Sequence, residues 1–134
     1  MIVFDGGRLI TPSEIIEEGI LLVEHDRIRA VGPRDQVTVP AGVQRIEVSG
    51  RLVTPGFIDL HVHGGGGAQA IDGSPADVLR MAQFHAQHGT TSLLVTVAGS
   101  DAHLRAGIQA ALEAQAIGAE SQGATILGIH LEGP

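Results

Sequence analysis

The chain has 134 residues and a formal net charge of −7, with fifteen acidic residues set against eight basic ones, all of them arginine. An acidic chain with no basic stripe argues against nucleic acid as a partner, because phosphate contacts dominate that affinity. The absence of cysteine excludes disulfides and thiolate metal sites. Hydrophobic residues make up 43% and aromatic residues only 2%, so a packed core is expected, built from Ala, Val, Leu and Ile.

The N-terminal stretch MIVFDGGRLI has Asp5 inside its apolar start and does not read as a signal peptide. The longest apolar run, near residues 93–99, is far short of the roughly 20 residues a membrane helix needs. A soluble, cytoplasmic protein without a membrane partner is the expectation. Residues 1–53 read as short strands and turns: MIVF, a turn at DGG, then ILLVE (20–24) and RIRAV (27–31) around a tight hairpin at His25-Asp26. After breaks at Gly32-Pro33 and Pro40-Ala41-Gly42, RIEV (45–48) alternates as a half-buried strand does. These elements form a small antiparallel unit.

The pattern changes at Thr54-Pro55-Gly56, and residues 54–134 form the second region. FIDLHVH (57–63) is a strand. Ser74-Pro75 starts a helix that runs to about His88, where Gly89 ends it. TSLLVTV (91–97) is an apolar strand. Gly99-Ser100-Asp101 caps a second helix, with Leu104, Ile108, Ala111 and Leu112 on one face, ending near Gly118. ATILGIHL (124–131) is the third strand. Apolar strands alternating with helices imply a parallel sheet covered by helices.

Two architectures fit that order. Gly65-Gly66-Gly67-Ala68-Gln69-Ala70 satisfies the dinucleotide-binding pattern of a doubly wound sheet, but four consecutive glycines satisfy it cheaply. Asp72-Gly73-Ser74-Pro75 also separates it from the helix it should open. The other is a (β/α)8 TIM-type barrel. Strands starting near 57, 91 and 125 have a period of 34, and eight such units make about 270 residues, near the usual barrel size. Three strands cannot close a barrel, so the chain reads as the first three βα units of something longer.

Side chains at i, i+2 and i+4 of a strand share a face, so Asp59, His61 and His63 are expected to point the same way. His61 and His63 lie at the carboxyl end of their strand and Glu132 at the end of another, where barrel active sites form. Imidazole and carboxylate suit zinc and similar divalent ions. Asp59 sits deeper and could orient a ligand histidine. His130 reads as a packed residue, and His25, His85, His88 and His103 as surface or helix-end residues. Glycines 64–67 permit close approach of backbone to a ligand, or form a flexible loop.

The run Val53-Thr54-Pro55-Gly56-Phe57-Ile58-Asp59-Leu60-His61-Val62-His63 resembles the first-strand signature of the amidohydrolase superfamily. Within it, His88-Gly89-Thr90-Thr91-Ser92 and Gly128-Ile129-His130-Leu131-Glu132-Gly133-Pro134 resemble the N-acetylglucosamine-6-phosphate deacetylase family. The resemblance implies a (β/α)8 barrel preceded by part of a small β-sandwich domain, residues 1–53, and one or two divalent ions, with zinc expected. It implies Glu132 as the main carboxylate ligand, with His61 and His63 on a second metal or an extended site. The proton-handling residue would be an Asp beyond Pro134, so the 134 residues alone would be inactive. The implied substrate is a small amino-sugar phosphate, and the implied assembly a homo-oligomer. Rival readings are another amidohydrolase, of dihydroorotase, hydantoinase or isoaspartyl-dipeptidase type, and a non-catalytic module. Many of those enzymes use a carboxylated lysine, and this chain has no Lys.

Overall fold

In the computed structural model, residues 1–118 and 122–133 are described. Strand β1 (Ile2–Ile10) does not stop at Asp5-Gly6-Gly7 as the turn-like composition suggests. It continues through two register shifts against β2 (Ile15–Glu24), between Asp5 and Gly7 and between Gly7 and Leu9. Gly6 takes φ +82°, so the glycines bend the strand instead of ending it. Asp5 is buried and receives hydrogen bonds from Arg34 and Arg45, which is how a carboxylate sits inside a strand that starts IVF. β2 turns back into β3 (Arg27–Pro33) across the expected two-residue loop, with His25 at φ +55°.

The first unit is not purely antiparallel. β4 (Gln44–Glu47) and β5 (Leu52–Val53) both pair with β1 in parallel, so β1 is the shared central strand of a five-stranded sheet. Alternation identifies a strand but carries no information on the direction of its partner. Val3, Ile20 and Leu22 form its core, closed over by Ala30, Val37, Val39 and Val43. The chain divides into two compact units, Met1–Pro55 and Gly56–Pro134.

In the second unit β6 (Phe57–Val62), helix α1 (Pro75–Ala86), β9 (Thr90–Ala98), helix α2 (Asp101–Ile117) and β10 (Thr125–Gly133) follow in order. The three strands make a parallel sheet in the order β10-β9-β6. Between β6 and α1 lie the two-residue strands β7 (Gly64–Gly65) and β8 (Ala68–Gln69) and a short 3-10 turn over Ala70–Asp72. Ser74 caps α1 by accepting the Asp77 N–H, with Pro75 at the first helical position. Ser100 caps α2 by accepting the His103 N–H.

Leu93, Val95 and Val97 of β9 are fully buried against Val78, Met81 and Ala82 of α1 and Ala110, Ala111 and Ala114 of α2. Burying a side chain of this kind stabilises by about 1.5–3 kcal/mol relative to leaving it exposed. The stripe that α2 buries is Gly107, Ala110, Ala111 and Ala114, while Leu112 is 51% exposed. Small residues let the helix approach the sheet closely: a Cβ at Gly107 would lie 2.7 Å from Val97 Cγ1. Of the face expected from the sequence, Ala111 is buried and Leu104 and Ile108 pack half-buried against the same core, while Leu112 points away from it. Among the described residues, no helix is long and apolar enough to cross a membrane.

Candidate metal centre

The sheet order places β6 and β10 on either side of β9, with their carboxyl ends at the same edge. Their side chains must then reach across β9, a span of about 10 Å between the outer strands. His61 and His63 reach from one side and Glu132 from the other. His61 Nε2 lies 3.1 Å from His63 Nε2 and 3.2 Å from Glu132 Oε2, and His63 Nε2 lies 2.9 Å from Glu132 Oε2. All three side chains are about half exposed, so the cluster opens to solvent.

Both ligand-bearing strands break their ladders where these residues sit. Between the pairs Asp59↔Leu93 and Val62↔Val95, two residues of β6, Leu60 and His61, face the single Leu94 of β9. Between Leu131↔Val97 and Gly133↔Ala98, Glu132 is an extra residue on β10. Such bulges re-aim side chains and are over-represented next to active sites. The strict alternation read from the sequence therefore does not hold through 59–63. Asp59 meets His61 through the backbone: its Oδ1 accepts the His61 N–H at 3.1 Å. The contact is not with the imidazole ring.

The donor set fits a divalent cation. A tetrahedral centre with bonds of about 2.0–2.1 Å sets its donors about 3.3–3.4 Å apart, close to the three distances observed. Hydrogen bonding alone cannot satisfy the triangle. A carboxylate carries no proton and each Nε2 at most one, so at most two of the three edges can be hydrogen bonds. A cation in contact with all three donors removes that conflict. Among the described residues this is the group of His, Asp and Glu side chains close enough to hold an ion, with donor atoms within 4.8 Å of one another.

His130 is not in that group. Its ring packs on His61 with centroids 4.6 Å apart and planes tilted by 36°. His25, at the β2–β3 loop, and His103, at the first turn of α2, lie outside the cluster. His88 bonds the Phe84 carbonyl near the end of α1. His85 does more than its helix-end position suggests. Its Nε2 lies 2.9 Å from the Gly64 carbonyl and ties α1 to the residue after His63.

Glycines 64–67 form a tight hairpin, not a flexible loop. Gly64 and Gly65 pair with Gln69 and Ala68, and Gly66 and Gly67 make the two-residue turn with φ +60° and +79°, as a type I′ turn requires. A Cβ at Gly65 would meet His85 and Phe84 at 2.8 Å, so the hairpin lies directly on α1. Only the spacing of Gly-Gly between two pairing residues could have signalled it. Pro134, the last residue of the HLEGP motif, lies outside the described residues.

Fold and donors together define a mixed α/β protein with a candidate metal centre at the carboxyl edge of a parallel sheet. The chain belongs to the amidohydrolase family, whose model matches residues 52–134. It is 32% identical to an N-acetylgalactosamine-6-phosphate deacetylase of Shewanella sp. over 100% of this chain and 34% of that protein. It is 43% identical to a dihydroorotase of Geobacter metallireducens over 46% of this chain and 14% of that protein. Among solved structures, an N-acetyl-D-glucosamine-6-phosphate deacetylase from Mycobacterium smegmatis superposes with a TM-score of 0.79 at 30% identity, covering 100% of this chain and 36% of that one. The chain thus spans about a third of the length of the deacetylases it matches.

Proposed function

We propose that these residues are the N-terminal part of a metal-dependent hydrolase that removes the acetyl group from N-acetylglucosamine 6-phosphate or its galactosamine isomer. On this reading residues 54–134 are the first three βα units of a (β/α)8 barrel, and residues 1–53 are part of a small β-sandwich domain. The observation that carries it is the convergence of His61, His63 and Glu132 from two different strands onto one point. The whole-length similarity to amino-sugar-phosphate deacetylases supports the substrate class. Ile58, Leu60, Leu127 and Leu131 lie exposed on β6 and β10, as they would where further strands complete a barrel.

His61 and His63 would hold the ion through Nε2, and Glu132 would supply the anionic donor that lowers the net charge of the centre. Zinc, as one or two ions, suits this nitrogen and oxygen set. A divalent cation bound there would polarise an amide carbonyl and acidify water near pH 7. Asp59 holds the backbone of His61 and so fixes where that ring starts. The half-exposed side chains leave an open approach for substrate. Protonation of the departing amine falls to an Asp beyond residue 134, so these residues alone release no acetate. The working protein is expected to be a cytoplasmic homo-oligomer.

A second reading is favoured by the similarity to a dihydroorotase, 43% identical over 46% of this chain. The two are separated by assaying the full-length protein for acetate release from both N-acetylhexosamine 6-phosphates and for hydrolysis of dihydroorotate. Acetate release without dihydroorotate turnover is the expected result. Dihydroorotate turnover without acetate release would overturn the deacetylase reading and keep the family.

A further inference from the structure

The bulge that carries His61 needs something to hold it, and the sequence around it supplies only half. The Asp59 carboxylate takes the His61 N–H. The next amide, that of Val62, donates to Thr96 Oγ1 at 2.9 Å, across to the middle strand. Thr96 is fully buried and is one of three buried polar or charged residues among those described, in a stretch of β9 otherwise made of Leu and Val. Its register partner on the other side is His130, which packs on the His61 ring. One threonine therefore sits between the two strands that deliver the donors and bonds the backbone of the first.

We infer that Thr96 is a positioning residue for the metal centre, its hydroxyl holding the β6 bulge that aims His61 and His63 at Glu132. The inference rests on the metal-site reading above. Valine matches threonine in shape but offers no acceptor, so the hydroxyl alone is under test. A lost hydrogen bond at a bulge frees the strand to return to regular pairing, which would turn His61 away from Glu132. Supporting interactions one step behind a metal ligand typically change metal affinity by about 10–100-fold.

The test is zinc titration of the full-length protein at a temperature where every variant is folded by far-UV circular dichroism. Thr96→Val is expected to weaken zinc binding by about 10–100-fold, and Thr96→Ser to stay within about threefold of wild type. In a His61→Ala/His63→Ala background Thr96→Val should change residual zinc binding no further, since the residues it positions are gone. A second measurement uses the unaltered protein: zinc should slow amide exchange at Val62 by at least about tenfold more than at Val95, because it stabilises the bulge selectively. Loss of melting temperature in Thr96→Val with unchanged zinc affinity would show a purely structural threonine and overturn the inference. So would equal zinc protection at Val62 and Val95. Wild-type protein that binds no zinc would instead overturn the metal-site reading beneath it.

Discussion

Gly64→Ala tests whether the hairpin after His63 is a fixed part of the centre. Gly64 does not have positive φ, so backbone strain does not forbid alanine there. What forbids it is space: the new Cβ would lie 2.4 Å from the Ala68 carbonyl oxygen, about 1 Å short of ordinary contact. That oxygen is backbone in the paired strand and cannot rotate away. The hairpin must shift, and the His85 bond to the Gly64 carbonyl must stretch with it. Overpacking of this kind costs about 1–3 kcal/mol. Alanine returns about 0.4–1 kcal/mol by restricting the unfolded chain. The net loss is then up to about 2.5 kcal/mol, and the shift acts on the residue next to His63. Gly67→Ala is the control. It meets nothing within 4 Å but has φ +79°, so it carries only the left-handed penalty, about 1–2 kcal/mol before the same offset. Urea denaturation and zinc titration of both variants decide the matter. Both should lose stability, but only Gly64→Ala should also lose zinc affinity, by about tenfold or more. Gly64→Ala with wild-type stability and zinc affinity would refute the argument.

The fully buried Met81 joins α1 to the sheet, so Met81→Ala should lower stability by about 2–5 kcal/mol, read as a fall in the urea midpoint with the slope unchanged. His85→Ala removes a half-buried bond and should cost about 0.5–1.5 kcal/mol, while His88→Ala, exposed just beyond the end of the same helix, should cost less. In the full-length protein Glu132→Gln should remove most deacetylase activity, because the amide keeps the shape but not the charge. A near-normal rate of acetate release would refute the role of Glu132. The 134 residues alone should release no acetate from N-acetylglucosamine 6-phosphate, and measurable turnover would contradict the division of labour proposed here.

Much of the second unit was legible because local signals and tertiary structure agree there. Ser74-Pro75 and Ser100 cap the helices they announce, and the apolar run of β9 is the buried middle strand of a parallel sheet. The His61-x-His63 pair and Glu132 stood out as unusual polar residues at strand ends. What escaped was whatever depends on register. Alternation places Asp59 on the face of His61, but the bulge between 59 and 62 breaks that rule, and no local pattern reports a bulge made of Leu60 and His61. Thr96 escaped because a threonine is common in any strand, and only its partner amide on β6 gives it a role. The parallel pairing of β4 and β5 and the burial of Asp5 depend on residues 29 or more positions away. On α2 the apolar periodicity finds Leu104, Ile108 and Ala111 on the core side but not Gly107, Ala110 and Ala114, because small residues carry little hydrophobic signal.

The central claim is that His61, His63 and Glu132 form one cation site, and calorimetric zinc titration with elemental analysis of wild type and His61→Ala/His63→Ala tests it most directly. The account predicts stoichiometric zinc on the wild-type protein and a loss of at least about tenfold in affinity when the histidine pair is removed. Zinc uptake that is absent, or identical in the two proteins, would contradict it.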